Sequence, residues 1–281
     1  MISTHTIPVG GTSFAVHTRG SGLPLLLLHA FPLDHGMWEA QELLCESLRL
    51  IVPDQRGFGG SSGQPPIASI AAMADDAVAL LDALHVGEPA FVCGVSMGGY
   101  VAQHVAARHP ERVRGLILCD TKLEADTPEA RAGRASLAAK VGRLGTEILA
   151  DAMLGKLLAQ GETARADERR PAVEALLRRM IGRQRAETVQ AALAAMGQRP
   201  DMTETMRRLT VPTLLVVGAE DTFTPPETMQ RMETLLPDAR LLVVPAAGHL
   251  VPLEAPQVFN AAVAEFLREV TARGGIPACA R

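Results

Sequence analysis

Two periodicities divide the chain. From Ile7 to Thr18, β-branched and aromatic residues flank Gly10-Gly11, a pair that accepts positive φ without steric cost, and this predicts a β-hairpin. Leu25 to His29 is then a short continuous apolar run of the kind shown by a strand buried on both faces. Beyond it, stretches with apolar residues at helical spacing (Met37 to Leu48, Ser69 to Leu84, Met97 to Arg108) alternate with short apolar runs (Leu50 to Pro53, Ala90 to Cys93, Leu116 to Cys119). Parallel strands need crossover connections, so this alternation predicts a parallel sheet covered by helices, with chemistry at the carboxyl ends of its strands.

The strand-like runs stop between Thr121 and Leu209. Composition there turns to Ala, Leu, Arg and Glu, with apolar residues at helical spacing such as Leu149, Met153 and Leu157. A helical insertion is predicted. Its methionines (Met153, Met180, Met196, Met202) read as core filler, the commoner use of a flexible thioether. The strand–helix pattern resumes with Thr213 to Val217, a helix from Pro226 to Leu236, Arg240 to Val244, and a terminal helix over about Ala255 to Val270. Ala272 to Arg281 lacks periodicity and reads as a frayed tail.

Composition excludes several classes of function. The 281 residues are 47% hydrophobic and 21% charged, enough apolar mass for a core, which rules out a disordered or disulfide-stapled chain. With 27 basic against 31 acidic residues and 3% aromatics, neither a phosphate-binding surface nor a base-stacking surface is indicated, so no nucleic-acid partner is expected. Four cysteines without C-x-x-C spacing fit a reduced cytoplasm. No apolar run approaches the ~20 residues that span a bilayer, and the first twenty residues carry no export signal, so no membrane partner is expected. Gly57-Phe58-Gly59-Gly60-Ser61-Ser62 lacks the third glycine of a dinucleotide loop, and no histidines fall at metal-ligand spacing. Neither a cofactor nor a metal is expected.

One motif carries chemistry. Gly94-Val95-Ser96-Met97-Gly98 follows a predicted strand and opens a predicted helix, the context that gives G-x-S-x-G its meaning. Small residues on either side let strand and helix approach while the serine Oγ projects above the sheet. A hydroxyl is a poor nucleophile at neutral pH, so Ser96 needs a base and a carboxylate to orient that base. Among eight histidines, His249 lies just past strand Arg240 to Val244 in Ala247-Gly248-His249, at the edge where Ser96 must sit. His104 and His109 lie on or beside the helix after Ser96 and are expected to sit away from its Oγ, and His85 stands at a helix end. For the carboxylate, Asp221 follows strand Thr213 to Val217, while Asp120 directly follows Leu116 to Cys119 and competes for the role. The order Ser96, Asp221, His249 favours Asp221, with Thr224 left to cap the helix after Pro225-Pro226. An oxyanion needs two donors: the Met97 amide is one, and the loop after Leu25 to His29 offers the Phe31 amide, since Pro32 has none.

These segments, with Asp54-Gln55-Arg56-Gly57-Phe58-Gly59 and Pro252-Leu253-Glu254, resemble an α/β hydrolase over residues 5 to 270. The resemblance implies an α/β fold with a mostly parallel eight-stranded sheet flanked by helices. Residues 1–120 and 210–281 form its core and 121–209 an inserted helical cap that chooses the substrate. The family's usual His-Gly is His29-Ala30 in this chain. The function expected is hydrolysis of a small-molecule carboxylic ester or lactone through an acyl-enzyme. Carbon–carbon bond hydrolysis, enol-lactone hydrolysis and cofactor-free haloperoxidase or perhydrolase chemistry use the same residues, and the last is suggested by Pro32 after Phe31. A non-catalytic ligand sensor on this fold is the alternative from another class. Oligomeric state is not legible.

Overall fold

The computed structural model describes residues 3–61 and 66–273. Its one sheet has eight strands: β1 (Ser3–Val9), β2 (Thr12–Arg19), β3 (Leu23–Leu28), β4 (Leu48–Pro53), β5 (Ala90–Val95), β6 (Val113–Cys119), β7 (Thr213–Gly218) and β8 (Ala239–Val244). Their spatial order is β1-β2-β4-β3-β5-β6-β7-β8; β2 runs antiparallel to β1 and β4, and every other pairing is parallel. The predicted hairpin is present, with both Gly10 and Gly11 at positive φ in its turn.

The order of strands reverses at β3, which lies between β4 and β5. Such a switch point opens a crevice at the carboxyl edge, because the following connections leave in opposite directions. Register places that edge along one line: Leu28 pairs with Gly94, Val95 with Cys119, and Gly218 with Val244. The loops after β3, β5, β6, β7 and β8 therefore emerge side by side. Leu25 to Leu28 are wholly buried, as expected of a strand covered on both faces.

Helices α1 (Ile70–Ala83), α2 (Met97–Arg108), α9 (Pro226–Leu235) and α11 (Pro256–Arg273) flank the sheet, the short α10 (Val251–Glu254) leading into α11. The Ser69 Oγ accepts the Ala72 amide at 3.0 Å and so starts α1, while Phe266 of α11 packs edge-on to Phe91 of β5. Two expectations change. The Met37 to Leu48 segment is a 3-10 helix over His35–Glu46 rather than an α-helix, and it ends where β4 begins at Leu48. The terminal helix runs on to Arg273, so Ala272 is helical, and residues 274–281 lie outside the described ones.

Between β6 and β7 the described residues form α3 (Pro128–Leu144), α4 (Glu147–Leu157), α5 (Glu162–Arg165), α6 (Arg170–Gly182), α7 (Ala186–Gly197) and α8 (Thr203–Arg207). Polar bonds fasten them to the sheet's loops. Arg183 pairs with buried Asp34, Gln184 Nε2 donates to the same carboxylate at 2.9 Å, and Thr188 Oγ1 donates to the Gly57 carbonyl at 3.0 Å.

Candidate active site

Ser96 stands between β5 and α2 with φ 53° and ψ −112°, a left-handed conformation costly for any residue with a Cβ. Two glycines make it possible. A Cβ on Gly94 would lie 2.1 Å from the Gly98 carbonyl oxygen, and one on Gly98 would lie 2.1 Å from the Leu28 carbonyl oxygen. Side chains at either position would push the helix off the sheet. The bend is pinned from both sides, since the Ser96 amide donates to the Cys119 carbonyl at 3.0 Å and Thr121 Oγ1 donates to the Ser96 carbonyl at 3.0 Å.

The three residues read from the sequence meet. Ser96 Oγ lies 2.8 Å from His249 Nε2, and His249 Nδ1 lies 2.8 Å from Asp221 Oδ2. Oδ1 of Asp221 accepts the amides of Phe223 and Thr224 at 2.8 and 3.1 Å, and the Thr224 hydroxyl donates to Oδ2. Burial alone would raise the Asp221 carboxyl, but the His249 charge and these hydrogen bonds hold it below the usual carboxylate range. Burial alone would lower His249; the Asp221 carboxylate reverses this and leaves the imidazole above its ordinary value. Such an arrangement can take a proton from a serine hydroxyl and hold the resulting imidazolium.

Asp120 sits beside this chain of contacts, not in it. Its Oδ1 accepts the Gly218 amide at 3.0 Å, and its Oδ2 accepts the Val251 amide at 3.2 Å and the Cys119 thiol at 3.1 Å. It is wholly buried, and burial together with the Asp221 charge pushes its carboxyl up to about 7. Asp120 thereby ties the ends of β6 and β7 to the segment after His249.

On the opposite side of the crevice, His29 is wholly buried and bridges two loops: its Nδ1 faces the Ala30 carbonyl at 3.0 Å and its Nε2 accepts the Gln55 amide at 3.0 Å. The Ala30 amide points at the Met37 sulfur, 3.2 Å away. The Phe31 amide meets no acceptor among the described residues, and Met97 opens α2, where an amide has no carbonyl one turn back. Both predicted donors are thus unclaimed among the described residues.

Ser96, His249 and Phe31 border a cavity of about 630 Å³. Phe31, Ser96, Phe223 and His249 line its floor from the sheet's loops; Leu137, Met153, Leu157, Leu193 and Met196 line it from the helices between β6 and β7. Half-buried Met153 faces the cavity, against the expectation of core filler, whereas Met180, Met196 and Met202 are buried as expected, Met196 also lining the cavity. Among the described residues one group, His17, His35 and Asp54, brings potential metal ligands within 4.8 Å of one another. The two rings stack with centroids 3.6 Å apart and planes inclined 20°, so the planes converge only roughly 10 Å away, far beyond a ~2.1 Å metal–nitrogen bond. The group fits an ion pair of His35 with Asp54 better than a metal.

Sequence reasoning missed three residues. Thr224 does not cap α9, whose N-cap is Pro225, but orients Asp221. Its signal was its place three residues after Asp221, a spacing suited to local side-chain hydrogen bonding. Glu220 accepts the Gln160 and Gly161 amides at 2.8 and 2.6 Å, and Glu254 accepts those of Ala159 and Gly248 at 2.7 and 2.9 Å. The His249 amide donates to the Leu157 carbonyl at 2.9 Å. These bonds stitch residues 157–161 to the loops bearing Asp221 and His249, and no local pattern announces them.

A family model described as alpha/beta hydrolase fold matches residues 24–256. The chain is 32% identical over 257 residues to the pimeloyl-[acyl-carrier protein] methyl ester esterase of Chromobacterium violaceum, covering 90% of this chain and 97% of that one. A thermophilic esterase of Thermogutta terrifontis, solved with malate bound, superposes with a TM-score of 0.89 at 41% identity, covering 96% of this chain and 99% of that one. The enol-lactonase of Burkholderia xenovorans superposes with a TM-score of 0.85 at 27% identity, covering 94% and 100%.

Proposed function

The chain belongs to the α/β hydrolase fold family, and on that premise we propose that it is a serine hydrolase of a small carboxylic ester or lactone. One observation carries the reading: the continuous path from Ser96 Oγ through His249 to Asp221, with 2.8 Å at each step, opens on the cavity. In acylation Ser96 Oγ attacks the carbonyl carbon while His249 Nε2 takes its proton, and the tetrahedral oxyanion is held by the Phe31 and Met97 amides. Each such donor is worth about 3 kcal/mol of barrier. Collapse breaks the bond to the leaving oxygen, which receives the proton from His249. Water, deprotonated by the same nitrogen, then releases the acid and restores Ser96.

Residues 121–209 serve as the cap in this reading, because their helices supply most of the apolar cavity wall and so set which acyl or alcohol group fits. The esterase and lactonase relatives support the ester or lactone class. The test is covalent labelling with a fluorophosphonate probe together with turnover of a short-chain aryl ester. Wild type should label at Ser96 and turn over, and Ser96→Ala should lose the label and at least about 10³-fold in kcat with an unchanged melting curve. Labelling elsewhere, or turnover retained in Ser96→Ala, overturns the assignment.

A further inference from the structure

The cavity is apolar on most of its wall but carries an unbalanced positive corner. Lys122 and Arg134 line it, and Arg199 lies behind them with a side chain only 2% exposed. One carboxylate serves all three cations: Asp126 accepts Arg134 Nε at 2.5 Å and Arg199 NH1 at 2.7 Å, with Lys122 Nζ 3.7 Å away. Burial alone would raise the Asp126 carboxyl, but the two arginines pull it down to about 2, so it contributes one full negative charge and no more. Burial chiefly, and then the Arg199 and Arg134 charges, lower the Lys122 ammonium against the opposing pull of Asp126 and Glu124. Of the other nearby acids, Glu124 sets Oε1 3.8 Å from exposed Arg231 and buries Oε2 without a hydrogen-bond partner among the described residues, so two carboxylates at most face three cations, while exposed Asp201 accepts the Thr203 amide at 2.9 Å. Arg199 spreads its guanidinium over the Tyr100 ring at 4.0 Å, and its Nε meets no acceptor among the described residues.

This corner adjoins the nucleophile. Tyr100 also lines the cavity and stands one helical turn, about 5.4 Å of rise, after Ser96, to whose carbonyl its amide donates at 3.2 Å. Lys122 follows Thr121, the residue that grips the same carbonyl. A group held by Lys122 and Arg134 therefore shares one ligand with a carbonyl at Ser96, and the apolar wall between suits an aliphatic spacer. A partly buried site with surplus cations favours a compact anion, and the guanidinium fork matches a carboxylate.

We propose that Lys122 and Arg134 form an anion subsite within the Ser96 cavity, and that the substrate is an ester or lactone bearing a free carboxylate. This rests on the ester or lactone reading above and narrows it. The test measures kcat/KM for monomethyl esters of linear dicarboxylic acids and for the matching dimethyl esters, in wild type, Lys122→Met, Arg134→Met and Lys122→Arg. The ratio of anionic to neutral substrate should exceed about tenfold in wild type and fall about 10- to 100-fold in each Met variant, mainly through KM, the factor a charge-assisted hydrogen bond carries. It should be largely restored in Lys122→Arg and decline with added salt. A ratio that favours the neutral diester in wild type, or that stays the same in both Met variants, refutes the subsite. Calorimetric binding of a monomethyl dicarboxylate to Ser96→Ala separates the two readings. Binding weakened by Lys122→Met upholds the subsite even if no ester turns over, whereas equal binding in both backgrounds overturns it.

Discussion

Replacing Asp221 by Asn changes one atom, and the structure dictates how that atom is presented. Oδ1 accepts two backbone amides, from Phe223 and Thr224, and these cannot turn into acceptors. The amide oxygen of the introduced asparagine must stay there, so its NH2 takes the place of Oδ2 and faces His249 Nδ1, now 2.8 Å from a carboxylate oxygen. A donor facing Nδ1 makes that nitrogen the acceptor and moves the ring proton to Nε2, which can then no longer accept from Ser96 Oγ. Asp221→Asn should therefore cost on the order of 10⁴-fold in kcat with little change in KM. Asp120→Asn behaves differently. Either orientation of its amide sets an NH2 against a backbone N–H, from Gly218 or from Val251, so about 1–3 kcal/mol of stability is lost while kcat falls less than about tenfold. Its lost carboxylate no longer favours the imidazolium of His249, so the acid limb of the pH profile should move to lower pH. The assay is hydrolysis of a short-chain aryl ester from pH 5 to 9, paired with urea denaturation of each variant. If Asp120→Asn loses as much kcat as Asp221→Asn, or more, the geometry has been read wrongly and Asp120 orients the base.

Three further outcomes are expected. In wild type, kcat/KM should fall as pH drops through the raised value of His249, because only the neutral imidazole accepts the serine proton; a profile flat from pH 8 to pH 5 contradicts this. Gly98→Ala, whose Cβ would sit 2.1 Å from the Leu28 carbonyl oxygen, should lose stability at or above the upper end of the about 1–3 kcal/mol typical of overpacking, and Gly155→Ala, with open space around it inside α4, should gain about 0.5–1 kcal/mol; urea midpoints decide both. His35 is buried enough to lower its affinity for a proton, but Asp54 raises it on balance, so its ion pair stabilises fully at pH below the ordinary imidazole value and less as pH rises through the raised one. The melting-temperature loss of His35→Gln should accordingly be larger at pH 6 than at pH 9, and the reverse order refutes the pairing.

The core was legible because its signals are local. Leu25 to His29 could only be a strand covered on both faces, and Gly94 and Gly98 flank a serine in a bend that tolerates no Cβ beside it. His249 and Asp221 followed from where their strands end. What sequence could not give depends on contacts far apart along the chain: Glu220 and Glu254 holding residues 157–161, or Arg199 reaching Asp126 across 73 positions. The 3-10 winding of His35–Glu46 escaped for another reason, since its apolar positions fit either winding and packing against the sheet decides. Thr224 was assigned the wrong partner because a threonine before two prolines serves a helix start and an aspartate turn equally well.

The stitch between residues 157–161 and the two loops of the sheet also constrains how such a protein diversifies. Exchange of the helices for those of a relative, as an intact cassette, deprives Glu220 of the Gln160 and Gly161 amides and Glu254 of the Ala159 amide wherever the new backbone follows another path, and releases the His249 backbone from Leu157. The base would drift although no reacting residue had been altered. Drift by single positions carries no such burden at Met153, Leu193 or Met196, which touch the cavity and take no part in the stitch. New specificities in this lineage are thus reached more readily by re-lining the pocket residue by residue than by shuffling segments, and a designer who does graft helices must carry the receiving loops along with them.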